Sequence, residues 1–134
     1  MPTFTGKGPE VRTDVFLDAA YAIALAAPSD QLHARAITLA QQLEADRARM
    51  VTTRAVLLEI GNALSKRRYR AAAVALLSSL ESDPSIEIVP LSPSLFAEAF
   101  DLYRGRPDKE WGLTDCVSFL AGPRPRSFLI LRSV

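Results

Sequence analysis

A chain of 134 residues with 16 basic and 15 acidic side chains has room for one domain, and its net charge of +1 projects no strong overall field toward nucleic acid or a membrane surface. Hydrophobic residues make up 49% of it and charged residues 23%, which excludes a disordered polyelectrolyte and lets the chain bury a core. Twenty alanines and eighteen leucines, against fourteen valines and isoleucines together, favour many helices with a modest sheet and exclude an all-β sandwich.

Residues 1–13, with Pro2, Gly6, Gly8 and Pro9, read as a flexible leader lacking the apolar stretch of a signal peptide, ahead of a single domain over 14–134. Val15-Phe16-Leu17 is a short apolar run ending at Asp18, followed at once by the helix-forming Ala19–Ala27. That run of nine apolar residues is too short to span a bilayer. Pro28 closes this helix, and Ser29 or Asp30 is placed to cap the next over roughly residues 30–48. There Leu32, Ala36, Leu39, Ala40 and Leu43 keep one apolar face. Met50-Val51-Thr52 reads as a strand, with Thr52 or Thr53 capping a helix through about Lys66. Residues 71–81 read as a further helix, stopped by Asp83-Pro84.

Ile86, Ile88 and Val89 form a β-branched run between two prolines. Ser92 then caps a helix with Pro93 at its favoured first position. Gly105-Arg106-Pro107 breaks the chain, Thr114 is placed to cap a last helix to about Ala121, and the closing SFLILRSV has strand character. Strands alternating with helices predict an α/β fold built on a central, mostly parallel sheet. One cysteine, Cys116, excludes an internal disulfide and fits a reducing cytoplasm.

In such sheets ligands sit beyond the carboxyl ends of the strands, where Asp18 follows the first strand. Taken alone, Asp18 is more simply read as the cap of the next helix. Glu59 lies inside an otherwise apolar helical stretch, between Ala55 and Ala63 one turn either side, with Asn62 on the same face to orient it; as a good helix former it fits a solvated face too. Asp115 opens the last helix after Thr114, where the helix dipole stabilises a carboxylate. Taken jointly, three dispersed carboxylates have the chemistry of a hard-cation site for Mg²⁺ or Mn²⁺. Two such ions can flank a phosphodiester and activate water.

Four stretches give the chain a family resemblance: VFLDAAYAIALA around Asp18, SDQLHARA after it, TTRAVLLEIGNALSK around Glu59, and YRGRPDKEWGLTDCVSF around Asp115. Over roughly residues 14–120 the sequence resembles the PIN-domain proteins, and among them the VapC-type toxic ribonucleases of toxin–antitoxin pairs. The resemblance implies a three-layer α/β/α sandwich, a homodimer, a cognate antitoxin protein as partner, and Mg²⁺- or Mn²⁺-dependent cleavage of RNA in the cytoplasm. It implies that Asp18, Glu59 and Asp115 hold the metal, that Thr114 helps position ion or substrate, and that Asp108 has an outer role.

The likeness stops near residue 120. The family continues through a longer helix to a fourth acid, whereas residues 121–134 form an atypical tail, AGPRPRSFLILRSV, in which Pro123 and Pro125 end the helix early. All fifteen acids lie in residues 1–115, and Arg124, Arg126 and Arg132 follow with no acid. The abrupt change resembles an altered reading frame or a degenerate C-terminus. It leads us to expect weak or absent activity, with Arg132 near the place of the fourth acid. A PIN fold that binds antitoxin or RNA without cleaving is therefore the competing expectation. A phosphoryl-receiver domain is excluded, since no lysine follows a late strand and Glu59 has no role there.

Lys66, Arg67, Arg68, Tyr69 and Arg70 form the densest positive run. They read either as a solvated helix end whose cations favour the C-terminal dipole or as an RNA contact in which Tyr69 stacks. His33 reads as a surface or interface residue, Cys116 as buried and unreactive, and Trp111 with Phe119 as a core anchor. The alternating small and large residues of 19–27 read as a packing or dimer face.

Overall fold

Residues 14–122 and 128–129 are described by the computed structural model, in which four parallel strands alternate with six helices. β1 (Asp14–Leu17) leads into α1 (Ala19–Ala26) and α2 (His33–Ala45), and β2 (Arg49–Thr53) into α3 (Arg54–Ala63) and α4 (Arg67–Ser82). β3 (Ile86–Val89) leads into α5 (Pro93–Gly105) and α6 (Leu113–Ala121), and β4 (Phe128–Leu129) completes the sheet. The strand order is β3-β2-β1-β4. β1 pairs Phe16 with Val51 of β2 on one side and with Phe128 of β4 on the other. The chain therefore winds outward from β1 through β2 to β3, then returns to the far side of β1. The order reverses at β1, and in open α/β sheets that reversal marks the crevice at the strands' carboxyl ends where ligands bind.

Two apolar clusters form the core. The larger joins Phe16 and Leu17 of β1 to Tyr21, Ala22 and Ala24 of α1, Ala36 of α2, Val56, Leu57 and Ile60 of α3, and Leu80 of α4. The smaller joins Ala55, Ala99 of α5, and Cys116 and Val117 of α6, with Leu95, Trp111 and Leu113 packed on it. α6 rests on β2. The α/β/α layering expected from the resemblance is thus present, and the short apolar runs became strands because both faces of the sheet are covered. The alanine-rich α1 places Ala19, Ala22 and Ala24 in this core, which gives its small residues a packing role.

The caps explain most element boundaries. The Thr53 hydroxyl accepts from the Val56 N–H at 3.1 Å and starts α3 directly at the end of β2. Ser92 caps α5 in the same way, with Pro93 following it. α2 differs from expectation: the Asp30 carboxylate accepts from the Leu32 N–H at 2.8 Å, holding a turn, and the helix begins at His33. α3 stops at Ala63, and α4 starts at Arg67 rather than near residue 71. The basic run therefore opens a helix instead of closing one, which overturns the favourable dipole reading. Gly112, not Thr114, is the N-cap of α6. The expected leader and Pro123, Arg124, Pro125, Arg126 and Arg132 of the tail lie outside the described residues. No described helix is long and apolar enough to cross a membrane.

Candidate active site

The residue that ends β1 hands the chain to Asp18, whose Oδ1 accepts from the Tyr21 N–H at 3.0 Å and starts α1. Thr52 secures this corner from β2: fully buried, it donates from Oγ1 to the Leu17 carbonyl at 2.8 Å. The carboxyl ends of β1 and β2 are thereby tied together at the side chain as well as through their ladder. Asp115 sits in the first turn of α6, and its Oδ2 accepts from the Gly112 N–H at 2.8 Å. Both aspartates thus do cap helices, as the plain structural interpretation requires. Each commits one oxygen to that task.

Glu59 has no such local duty. It lies on α3, which packs against both α1 and α6, the two helices that Asp18 and Asp115 begin. The residue as a whole is exposed, yet its carboxyl is partly desolvated. That desolvation, then the charges of Asp115 and Asp18, raise its pKa above the ordinary glutamate value. The fold thus brings three carboxylates from separate chain regions into electrostatic contact. Among the described residues no three acid, histidine or cysteine side chains stand close enough together, as they lie, to hold one ion. The donor set is nonetheless all hard oxygen, and the unfavourable crowding on Glu59 is of the kind a divalent cation relieves. The residues present therefore suit Mg²⁺ or Mn²⁺ in chemistry.

Beside Glu59 lies a hollow of about 200 Å³, bordered by Asn62, Thr114, Leu58, Phe96 and Leu113. Asn62 and Thr114 thus stand with Glu59, although among the described residues no hydrogen bond joins Asn62 to it. Leu58 is 65% exposed and Phe96 43%, so the hollow, which Glu59 alone of the three acids borders, has an apolar rim that the spacing of residues alone does not reveal. The i, i+1 step from Leu58 to Glu59 and the early position of Phe96 in its helix were the available signals. A larger hollow of about 480 Å³, near Tyr21, Leu43 and Met50, lies by the amino ends of β2 and β3, and none of the three acids borders it.

Asp108 stands apart from this cluster. Its two carboxylate oxygens accept from Nε and Nη2 of Arg106, each at 2.9 Å, and that hydrogen-bonded partner holds its carboxyl below the usual range. Arg106 in turn lies 5.6 Å from the centre of the Trp111 ring, and Trp111 meets Phe119 edge-to-face at 4.9 Å. Asp108 therefore braces the loop leading to Thr114 and Asp115. The expected anchor of Trp111 and Phe119 is realised, Cys116 is fully buried, and burial raises its thiol pKa. His33 places Nδ1 2.8 Å from the Ala24 carbonyl, tying α2 to α1.

A protein-family model, the PIN domain, matches residues 15–119, close to the span read from the sequence. Among solved structures, Mycobacterium tuberculosis VapC20, a sarcin-ricin loop cleaving toxin, aligns with a TM-score of 0.67 at 23% identity, covering 78% of each chain. A search of the curated proteins finds no match. The reversal of strand order at β1, the acid following that strand and the match over residues 15–119 together place this chain in the PIN-domain family.

Proposed function

We propose that the protein is a metal-dependent endoribonuclease, the toxin of a toxin–antitoxin pair, whose centre is Asp18, Glu59 and Asp115. The observation that carries this reading is the convergence of the Asp115 and Asp18 charges on Glu59 from separate helices. Structural capping explains the two aspartates; it does not account for a third carboxylate that has no ion-pair partner among the described residues and feels both their charges. Asp18, Glu59 and Asp115 would hold Mg²⁺ or Mn²⁺, which supplies Lewis-acid activation of water and charge neutralisation at the phosphate. The chain's own contribution is placement: Thr52 fixes the strand end that presents Asp18, Thr53 starts the helix that presents Glu59, and the Arg106–Asp108 pair steadies the loop before Asp115. Thr114 and Asn62, on the hollow beside Glu59, are positioned to donate hydrogen bonds to an entering phosphate or sugar.

The biological reading, a cytoplasmic toxin restrained by a cognate antitoxin protein, draws on the likeness in fold to VapC20. Homodimerisation draws on α5, where Phe96, Phe100 and Tyr103 recur at helical spacing and are all exposed, the two phenylalanine rings stacked at 6.4 Å. A second reading, a PIN fold that binds RNA or antitoxin without cleaving, is favoured by the lack of any acid among residues 116–134, and it predicts binding with no turnover. Purified protein incubated with structured RNA and Mn²⁺, beside Asp18→Ala, separates them. The nuclease reading expects slow cleavage that the substitution abolishes. RNA left intact by the wild type at high protein concentration would overturn it.

A further inference from the structure

We propose that the basic run opening α4 is the surface that grips the RNA backbone, an assignment that rests on RNA being the ligand of the proposed nuclease. Lys66 is the N-cap of α4, and Arg67, Arg68, Tyr69 and Arg70 fill its first turn. Cations at a helix N-terminus face the positive end of the dipole, so this placement works against the helix. Lys66 supplies no side-chain acceptor to the open end. Elsewhere among the described residues, Arg35, Arg47 and Lys109 stand singly with no ion pair, whereas Arg49, Arg54, Arg104 and Arg106 are each matched with a carboxylate. Among the described residues, none of the four cations of the run is. What sets the run apart is clustering: four like charges at one helix start, none with an acid among the described residues, suit an external polyanion.

The local geometry specifies which anion. Lys66, Arg67 and Arg68 share one shallow, open patch of surface, accessible to an extended polyanion. The Arg68 guanidinium lies 4.9 Å from the centre of the exposed Tyr69 ring, pairing a flat cation with an aromatic face as single-stranded nucleic acid recognition does. Arg70 donates to the Ser65 carbonyl at 2.7 Å and fastens the short connection from α3. The run is therefore held to the helix that carries Glu59. Lys66 lies seven positions after Glu59, so the two lie roughly 10 to 24 Å apart, from the helical rise and the fully extended span. An RNA segment of a few nucleotides covers that distance. Guanidinium groups with an aromatic neighbour favour RNA over an acidic protein surface, for which the charges alone would serve.

The test is binding without cleavage. A fluorescein-labelled RNA hairpin is titrated with wild-type protein in EDTA at several salt concentrations, and its anisotropy is read. The triple variant Lys66→Gln, Arg67→Gln, Arg68→Gln is measured beside it. We expect affinity to fall ~10-fold or more at low salt, and the slope of log K against log salt to lose about 2 as three phosphate contacts disappear. Thermal melting of the triple variant should be unchanged or improved, because the charges leave the positive end of α4. Arg35→Gln, at an exposed position of α2, should bind within about twofold of wild type. Equal affinity and salt slope in the triple variant would overturn the assignment, as would loss of binding to polyglutamate but not to RNA. Because metal is absent, a failure of cleavage leaves this result untouched, and a failure here leaves the carboxylate centre untouched.

Discussion

Glu59 of α3 and Asp115 of α6 are coupled through space. Beyond partial desolvation, the Asp115 charge is the strongest influence raising the Glu59 pKa, and Asp18 adds to it. Asp115→Asn should therefore lower the Glu59 pKa toward its ordinary value, and Asp18→Asn should do so less. A carboxyl-carbon NMR titration reads this directly; an unmoved Glu59 in both variants would show the carboxylates to be independent.

The same coupling has a stability consequence. A carboxyl whose pKa is raised by folding holds its proton more tightly in the folded chain. Its contribution to stability is therefore lost as pH rises through the interval between its unfolded and folded values, which opens near 4.5. Above that interval Glu59→Gln should melt slightly higher than the wild type, by a degree or two at most given its solvent screening. A lower melting temperature at neutral pH would mean that Glu59 supports the fold rather than burdening it.

Divalent cations should reverse that burden. At tenfold excess over Kd, Mn²⁺ binding to the folded state alone adds ~1.4 kcal/mol, which corresponds to a rise of roughly 3–6 °C for a domain of this size. Calorimetry should show the rise in the wild type and its loss in Asp18→Asn. An equal rise in both would place the ion elsewhere.

Thr52 joins the two strand ends beside Asp18. Thr52→Val keeps the shape and removes the bond to the Leu17 carbonyl, at a cost of about 1–2 kcal/mol in urea unfolding. Cleavage should fall further than stability does, because Asp18 loses its brace. A variant that is destabilised but fully active would assign Thr52 to packing alone.

The exposed stripe on α5 makes its own prediction. Phe96→Ser with Phe100→Ser should abolish the proposed dimer in analytical ultracentrifugation while the far-ultraviolet circular dichroism holds. A double variant that still sediments as a dimer would move the interface elsewhere.

Much of the fold was legible where one residue type has one local job. Val15 to Leu17 ending at Asp18, Thr53 and Ser92 as caps, and Pro93 at a first helical position all appear as read. The misses share a physical cause. Gly112 caps α6 without a side chain, so its role shows only through the Asp115 carboxylate that reaches back to it. The sequence pattern carries the preceding helix to about Lys66 and starts the next at residue 71, because nothing in it marks the break at Leu64 and Ser65 or the earlier start at Arg67. The acids' proximity depends on α3 packing between α1 and α6, a tertiary fact that local pattern does not carry; the family resemblance alone pointed to it. The stripe of Phe96, Phe100 and Tyr103 was visible in its spacing, but its exposure was not.

The central claim is that Asp18, Glu59 and Asp115 form one metal-dependent hydrolytic centre. Single-turnover cleavage of a structured RNA, followed across a Mn²⁺ titration in the wild type, Glu59→Gln and Asp115→Asn, tests it most directly. We predict a slow wild-type rate that saturates with Mn²⁺ and vanishes in EDTA, and a loss of roughly 100-fold or more in each variant. Cleavage that persists in EDTA, or survives unchanged in either variant, would contradict it.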